Sequence, residues 1–203
     1  MFRLASECPR MPFRTSIVAA AIAASVPLHA SADVTFTFSG ETWAGFSFTQ
    51  IFGPTAGPGG QSLLLVGTLT GVSVNASLAA SAGDAFANDL TVYVRRPPLG
   101  PFGLVQVGGF SSLNAQQRYS WANGDSDEIG TTVIDTRMLA TPLTFLGTST
   151  DPAVWLGNGW GGSGSSGTWT GSVTLIGVSV VPAPGAVALV GASLLVMRRR
   201  RRA

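Results

Sequence analysis

Residues 34–39 read Val34-Thr35-Phe36-Thr37-Phe38-Ser39, and residues 46–49 read Phe46-Ser47-Phe48-Thr49. Apolar and hydroxyl-bearing side chains alternate with period two, which sets the apolar ones on one face of an extended strand and the polar ones on the other. Similar β-rich runs follow at Leu63 to Leu69, Val72 to Leu78, Leu90 to Arg95, Gly103 to Val107, Thr131 to Thr136, Leu143 to Leu146 and Thr168 to Val180. Clusters of turn-forming residues separate them, such as Gly57-Pro58-Gly59-Gly60 and Asn123-Gly124-Asp125. The alanine-rich stretch Ala76 to Ala87 predicts no helix, because Gly83 interrupts it and its serines compete for backbone groups. Roughly nine or ten short strands in one domain predict an all-β chain folded as a single, jelly-roll-like β-sandwich over residues 33–180.

The last run contains a conflict of phase. Trp169, Val173 and Leu175 share one parity, whereas Ile176, Val178 and Val180 share the other, so no regular strand buries both sets. The sequence predicts either a bulge or strand change near Gly177, or departure of the later residues from the sheet. The glycine-rich residues 161–167 before it are expected to form a flexible loop.

Charge divides the chain into three parts. The whole carries a formal net charge of +2, with twelve arginines and no lysine, but Arg3, Arg10 and Arg14 lie near the start and Arg198 to Arg202 at the end. The middle keeps Arg95, Arg96, Arg118 and Arg137 against Asp33, Glu41, Asp84, Asp89, Asp125, Asp127, Glu128, Asp135 and Asp151, which gives 4 − 9 = −5. A negative domain repels phosphate backbones, so no nucleic-acid partner is expected. The only Cys and His, Cys8 and His29, also lie outside this middle part. Without His, Lys or Cys, a Ser-His-Asp triad, a Schiff base, a thiolate nucleophile and a zinc-thiolate site are all unavailable, and the domain is expected not to be an enzyme. A carboxylate glycosidase built on Glu41 and Glu128 is the remaining catalytic alternative.

Both ends read as targeting segments. Residues 1–32 hold a leader and signal peptide: Arg14 supplies positive charge, Ile17 to Ser25 a short apolar core, and Ala30-Ser31-Ala32 the small residues of a cleavage site before Asp33. Met11 offers a second start, and Cys8 precedes the apolar core, so it cannot be a lipoprotein cysteine. Residues 181–203 form a tail in which Val181-Pro182-Ala183-Pro184 leads into the apolar segment Gly185 to Met197 and then Arg198, Arg199, Arg200, Arg201 and Arg202. Thirteen helical residues span about 20 Å, short of the roughly 30 Å hydrocarbon layer. The arginines would stay on the cytoplasmic side, leaving the domain outside. A plain C-terminal membrane anchor is the alternative.

This tail resembles the PEP-CTERM sorting signal, in which Pro182, Pro184, the short apolar transmembrane helix and the arginine block all have counterparts; Ala183 departs from it, standing where that family most often has Glu. The resemblance implies export, handling by an exosortase at the inner membrane, and delivery to the cell surface or extracellular matrix of a Gram-negative bacterium that makes exopolysaccharide. Within the domain, Leu69 to Val74, Asn88-Asp89-Leu90-Thr91-Val92 and Gly167-Thr168-Trp169-Thr170 are similar to the P-domain of proprotein convertases and its galactose-binding-like jelly-roll relatives. Here Ala85-Phe86-Ala87 replaces that family's usual His, and its closing Asp/Gly-rich hairpin is absent. The resemblance implies a jelly roll and points to Asp89.

No cofactor is required by the sequence, and Ca²⁺ is the one ion its acids suggest. Asp125, Asp127 and Glu128 follow Asn123-Gly124, where alternate oxygen ligands on a turn suit Ca²⁺, although the same pattern serves a solvated turn. Asp84, Asn88 and Asp89 form a second candidate. Of Trp43, Trp121, Trp155, Trp160 and Trp169, the sequence assigns Trp155 and Trp169 to the core and leaves Trp160, between Asn158-Gly159 and Gly161-Gly162, as the residue for glycan contact. The leading functional expectation is therefore a structural or adhesive surface module that meets the secretion machinery, an exosortase and transiently the inner membrane. The alternative is a carbohydrate-binding module for exopolysaccharide.

Overall fold

The computed structural model describes residues 33–54, 63–96, 103–112 and 114–181. Ala30 and Ala32 of the expected cleavage site, and Pro182, Ala183, Pro184 and Arg198 to Arg202 of the expected sorting tail, lie outside them. No helix among the described residues is long and apolar enough to cross a membrane.

Nine strands follow in order: β1 (Val34–Ala44), β2 (Phe48–Phe52), β3 (Leu65–Ala82), β4 (Leu90–Arg95), β5 (Val105–Val107), β6 (Gln117–Tyr119), β7 (Thr132–Leu146), β8 (Ala153–Asn158) and β9 (Ser166–Val180). A single 3₁₀ turn, Ala87–Asp89, precedes β4. The strands form two sheets, one ordered β1-β9-β3-β7 and the other β2-β8-β4-β5-β6. All neighbours are antiparallel except β5 and β6, which are parallel. The chain crosses from one sheet to the other at each step from β1 to β4 and again from β7 to β9.

One core fills the space between the sheets. From the first come Phe38, Leu69, Val72, Val74, Trp169, Val173 and Leu175, and from the second Leu90, Val92, Val94, Val105, Val107, Val154 and Leu156. In β1 the alternation works as read, with Phe36 and Phe38 on the core side and Thr35 and Thr37 exposed. Phe46 and Phe48 do otherwise. Phe46 precedes β2 and is exposed, while Phe48 pairs with Gly157 on the outer side of the second sheet.

Two strands are longer than their composition suggests. β3 joins two expected runs and continues through the alanine-rich stretch, because Ala76 and Leu78 face the core while Asn75 and Ala79 face out. β7 likewise continues through Pro142. It lies at the edge of its sheet, where the missing proline N–H costs no ladder bond. Its free side is occupied by side chains that act as a partner strand would. Asn123 accepts from the Ile134 N–H (2.9 Å) and donates to the Ile134 carbonyl (2.8 Å), and Gln117 makes the same pair with Thr141 (2.9 and 2.8 Å). Such plugs leave few open groups for another chain to pair with.

The phase conflict in β9 is resolved at Gly177. Leu175 and Val178 are both fully buried, so the inward parity changes between them, and the register with β3 shifts between Gly67 and Gly71. Ile176 stays half-buried on the outer side, so of the second set Val178 and Val180 turn inward. Pairing persists to Val180, which rules out departure from the sheet. Gly177 has φ +88°, and a Cβ there would lie 2.2 Å from the Thr68 carbonyl oxygen. Gly177→Val combines that backbone strain with a clash against main chain. It is expected to destabilise the fold by at least about 2 kcal/mol, read as a lower urea midpoint.

Candidate functional site

Four connections meet at one end of the sandwich, and a cleft of about 730 Å³ opens among them. The β3–β4 connection supplies Asp84, Phe86, Asn88 and Asp89; the β5–β6 connection Gly109 and Phe110; β6 and the β6–β7 connection Arg118, Ser120, Trp121 and Asp125; the β8–β9 connection Trp160.

Backbone geometry begins the construction. After β3 the chain turns through consecutive left-handed residues, Gly83 at φ +59° and Asp84 at φ +58°. The 3₁₀ turn follows, and its Asp89 is buried, with 3% exposure. Its carboxylate accepts from the Phe86 N–H through Oδ2 (2.9 Å) and from the Phe110 N–H through Oδ1 (3.1 Å). The Asp89 carbonyl accepts from Gly159 N (2.8 Å) and from Thr91 Oγ1 (2.9 Å). One residue thus fastens its own turn, the Phe110 loop and the Trp160 loop. Neighbouring main-chain bonds extend the clamp: Asn88 N–H donates to Gly124 O (2.9 Å) and Ala87 N–H to Ser126 O (2.9 Å), which hold the acidic loop in place.

The lining is of two kinds. Trp160 and Phe110 meet edge to face, ring centres 5.3 Å apart and planes at 85°, so they form an apolar corner. Trp160 is fixed by its indole N–H, which donates to Gly83 O (3.0 Å), and by its main-chain N–H on Asn158 Oδ1 (2.9 Å). Phe110 is 74% exposed. Around them stand the exposed carboxylates of Asp84 and Asp125, the Ser120 hydroxyl and Arg118, whose guanidinium donates to Phe110 O. Trp121 is buried beneath, its N–H donating to Leu90 O (2.7 Å).

No protein family, curated protein or solved structure matches the chain. The site must therefore be read from its own chemistry.

The sequence candidates separate clearly. Trp160 lines the cleft, half-buried, not free in a loose loop, and Asp84, Asn88, Asp89 and Asp125 converge on it from two connections. Asp127 and Glu128 are exposed and do not line the cleft. Among the described residues no group of three acidic, His or Cys side chains is placed to hold an ion. Both Asp89 oxygens accept backbone N–H groups, from Phe86 and Phe110. Asp89 is a structural clamp. Glu41 and Glu128, the suggested hydrolase pair, are also not in the cleft.

Trp169 is buried as expected and donates to Ala87 O (3.1 Å). Trp155 is not a core residue; it is half-buried on the outer side of β8, because Val154 and Leu156 take the inward positions. Sequence reasoning missed Phe110, Arg118 and Ser120. For Phe110 a signal existed, since Gly108-Gly109-Phe110-Ser111 sets an aromatic among small turn residues, as Gly159-Trp160-Gly161-Gly162 does.

Burial raises the Asp89 carboxyl above its ordinary pKa, the two backbone donors oppose that rise, and the Asp125 charge adds to it. A raised native pKa means that the folded state binds its proton more tightly than the unfolded chain. The associated stabilisation is complete below the ordinary carboxylate value and is lost as pH rises through the native one. In urea titrations across acidic pH, Asp89→Asn is expected to remove that fall in stability. Asp89→Ala, which strands two N–H donors, is expected to cost about 2 kcal/mol at neutral pH.

Proposed function

We propose that this protein is an exported, non-catalytic carbohydrate-binding module of the cell surface or extracellular matrix, holding exopolysaccharide in the cleft at the end of its sandwich. The observation that carries the reading is the perpendicular corner of Trp160 and Phe110 in a cleft that also presents Asp84, Asp125, Ser120 and Arg118. A sugar ring has apolar C–H faces and a rim of hydroxyls. Aromatic walls cover the former, carboxylates accept from the latter, and the guanidinium and serine hydroxyl donate to ring and hydroxyl oxygens. The Asp89 clamp pre-orders the connections that carry these groups, so less entropy is lost on binding.

A jelly-roll architecture belongs to the same proposal. Its support is the strand order, in which β1, β9, β3 and β7 face β2, β8, β4 and β5 and the chain repeatedly changes sheet. The P-domain-like residues Asp89, Leu90 and Trp169 occupy a clamp, the start of a core strand and the core itself. The delivery route is read from the ends: a signal peptide cleaved after Ala32, and a PEP-CTERM-like tail handled by an exosortase, which together set the domain outside the inner membrane. The adhesive role follows from the two parts combined, since a surface-delivered module that grips polysaccharide tethers cell or matrix.

Two measurements test this reading. On a glycan array, or by calorimetry with the host's exopolysaccharide, Trp160→Ala and Phe110→Ala are each expected to weaken binding about tenfold, as loss of an aromatic anchor does. Phe110 serves as the folding-neutral probe because its ring is largely exposed. Unchanged binding in both variants rejects the cleft, and turnover of the polysaccharide rejects the non-catalytic reading. Intact mass of the protein from its native host is expected to lack Arg198 to Arg202; a species that keeps them in the inner membrane contradicts the processing.

A further inference from the structure

A second cleft, of about 310 Å³, lies on the outer side of the five-stranded sheet and is lined by Phe46, Phe48, Tyr93, Arg95 and Trp155. It neighbours the first. Phe46 borders Gly161, next to Trp160, where a Cβ would lie 3.6 Å from its ring. From Phe46 an aromatic track runs to Phe48 (5.5 Å between centres) and on to Tyr93 (6.2 Å). Gly157, which pairs with Phe48, lets that strand and its ring pack closely, since a Cβ there would lie 2.8 Å from Phe48 Cδ1.

The polar character of this cleft is one-sided. The Arg95 guanidinium carbon sits 5.2 Å from the centre of the Trp155 ring, a cation over an aromatic face. No carboxylate lines the cleft, and among the described residues Arg95 forms no ion pair. The Arg95 Nε and Trp155 Nε1 donors are both buried without a hydrogen-bond acceptor. Buried donors left unpaired are costly, and the long arginine side chain can shift to open them to an incoming acceptor. The groups waiting there are donors and positive charge, the complement of a carboxylate, framed by aromatic walls that suit a ring.

We infer that this cleft is a second subsite, which takes a uronic-acid residue of the same polysaccharide chain whose neighbouring sugars occupy the Trp160 cleft. The inference rests on the carbohydrate-binding reading and adds the chemical class of the ligand: an acidic polymer recognised through its carboxylate by Arg95, with Trp155 supplying an N–H and the Phe46 and Phe48 rings an apolar wall. Charge-assisted pairing of this kind gives selectivity that the first cleft, with its own carboxylates, cannot supply.

The test compares oligomers of galacturonate, mannuronate and guluronate with their carboxyl-reduced forms of equal length, titrated into the protein and its variants by calorimetry. The wild type is expected to bind at least one acidic series about tenfold more tightly than its reduced form. Arg95→Met, which keeps an apolar stem over the indole, is expected to abolish that preference while leaving affinity for the reduced oligomer in place. Trp155→Phe, which keeps a ring but removes the N–H, is expected to narrow the preference. Arg96→Met makes the same change in net charge at an exposed position that does not line the cleft, and is expected to leave the preference intact. Thermal unfolding of each variant separates misfolding from loss of the subsite. Equal affinity of the wild type for acidic and reduced oligomers overturns the subsite, as does a preference that survives Arg95→Met or disappears equally in Arg96→Met. In those cases binding that still depends on Trp160 leaves the first cleft standing. Failure of every oligomer to bind overturns both readings.

Discussion

The buried carboxylate of Asp89 is the constraint on which the functional end of this molecule depends. A charged group with 3% exposure is costly unless its lone pairs are satisfied, and here backbone N–H groups of Phe86 and Phe110 satisfy them. The Asp89 carbonyl adds Gly159 N–H, so the residue reaches both loops that carry the aromatic corner. A cleft wall made from separate connections needs such a tie, because loops joined only to their own strands would drift independently. The price is a site that responds to acid chemistry at a buried residue in its wall.

How much of this could be read in advance depends on whether the governing signal is local. The bulge at Gly177 was legible because Trp169, Val173 and Leu175 conflict in parity with Val178 and Val180 within one run. The full lengths of β3 and β7 were not, since Gly71 and Pro142 read as breaks. Gly71 remains in the ladder, paired with Met138 and Ile176 at positions where a Cβ would lie 2.8 Å from Met138 Sδ, and Pro142 is tolerated because it lies on an edge. Trp155 was misplaced because Val154-Trp155-Leu156 is apolar on both parities, so alternation could not choose a face. The cleft itself was illegible as a unit. Its residues lie on four connections, and only the pairing of distant strands brings Asp84, Phe110, Asp125 and Trp160 together.

The two outer faces are built differently, and the contrast suggests a division of labour. On the four-stranded sheet the outward side chains include hydroxyls that satisfy one another across strands, Thr35 with Thr174 (2.8 Å), Thr42 with Thr168 (2.7 Å) and Ser73 with Thr136 (2.9 Å), beside exposed Ile134, Met138 and Leu146 on β7. Its exposed edge, β7, is closed by Asn123 and Gln117. Hydroxyls already paired have little to offer a ligand, and cross-strand pairs of this kind stabilise the sheet. The five-stranded sheet carries Phe48, Tyr93 and Trp155 around Arg95 instead, so aromatic surface gathers about one cation.

The indole N–H groups sort the tryptophans in the same way. Trp43 donates to Thr49 Oγ1 (3.1 Å), Trp121 to Leu90 O, Trp160 to Gly83 O and Trp169 to Ala87 O, so each is locked by a bond inside the fold. Trp155 alone has a buried N–H with no acceptor. Buried polar hydrogens in folded proteins nearly always find a partner, so an exception needs a cause. Packing does not supply one, because Trp155 lies outside the core, on a face where a polar neighbour could have been accommodated. A ligand acceptor does supply one. It would also account for the unopposed Arg95 beside it. The proposed carboxylate subsite thus supplies one physical cause for both the orphaned indole N–H and the unopposed guanidinium.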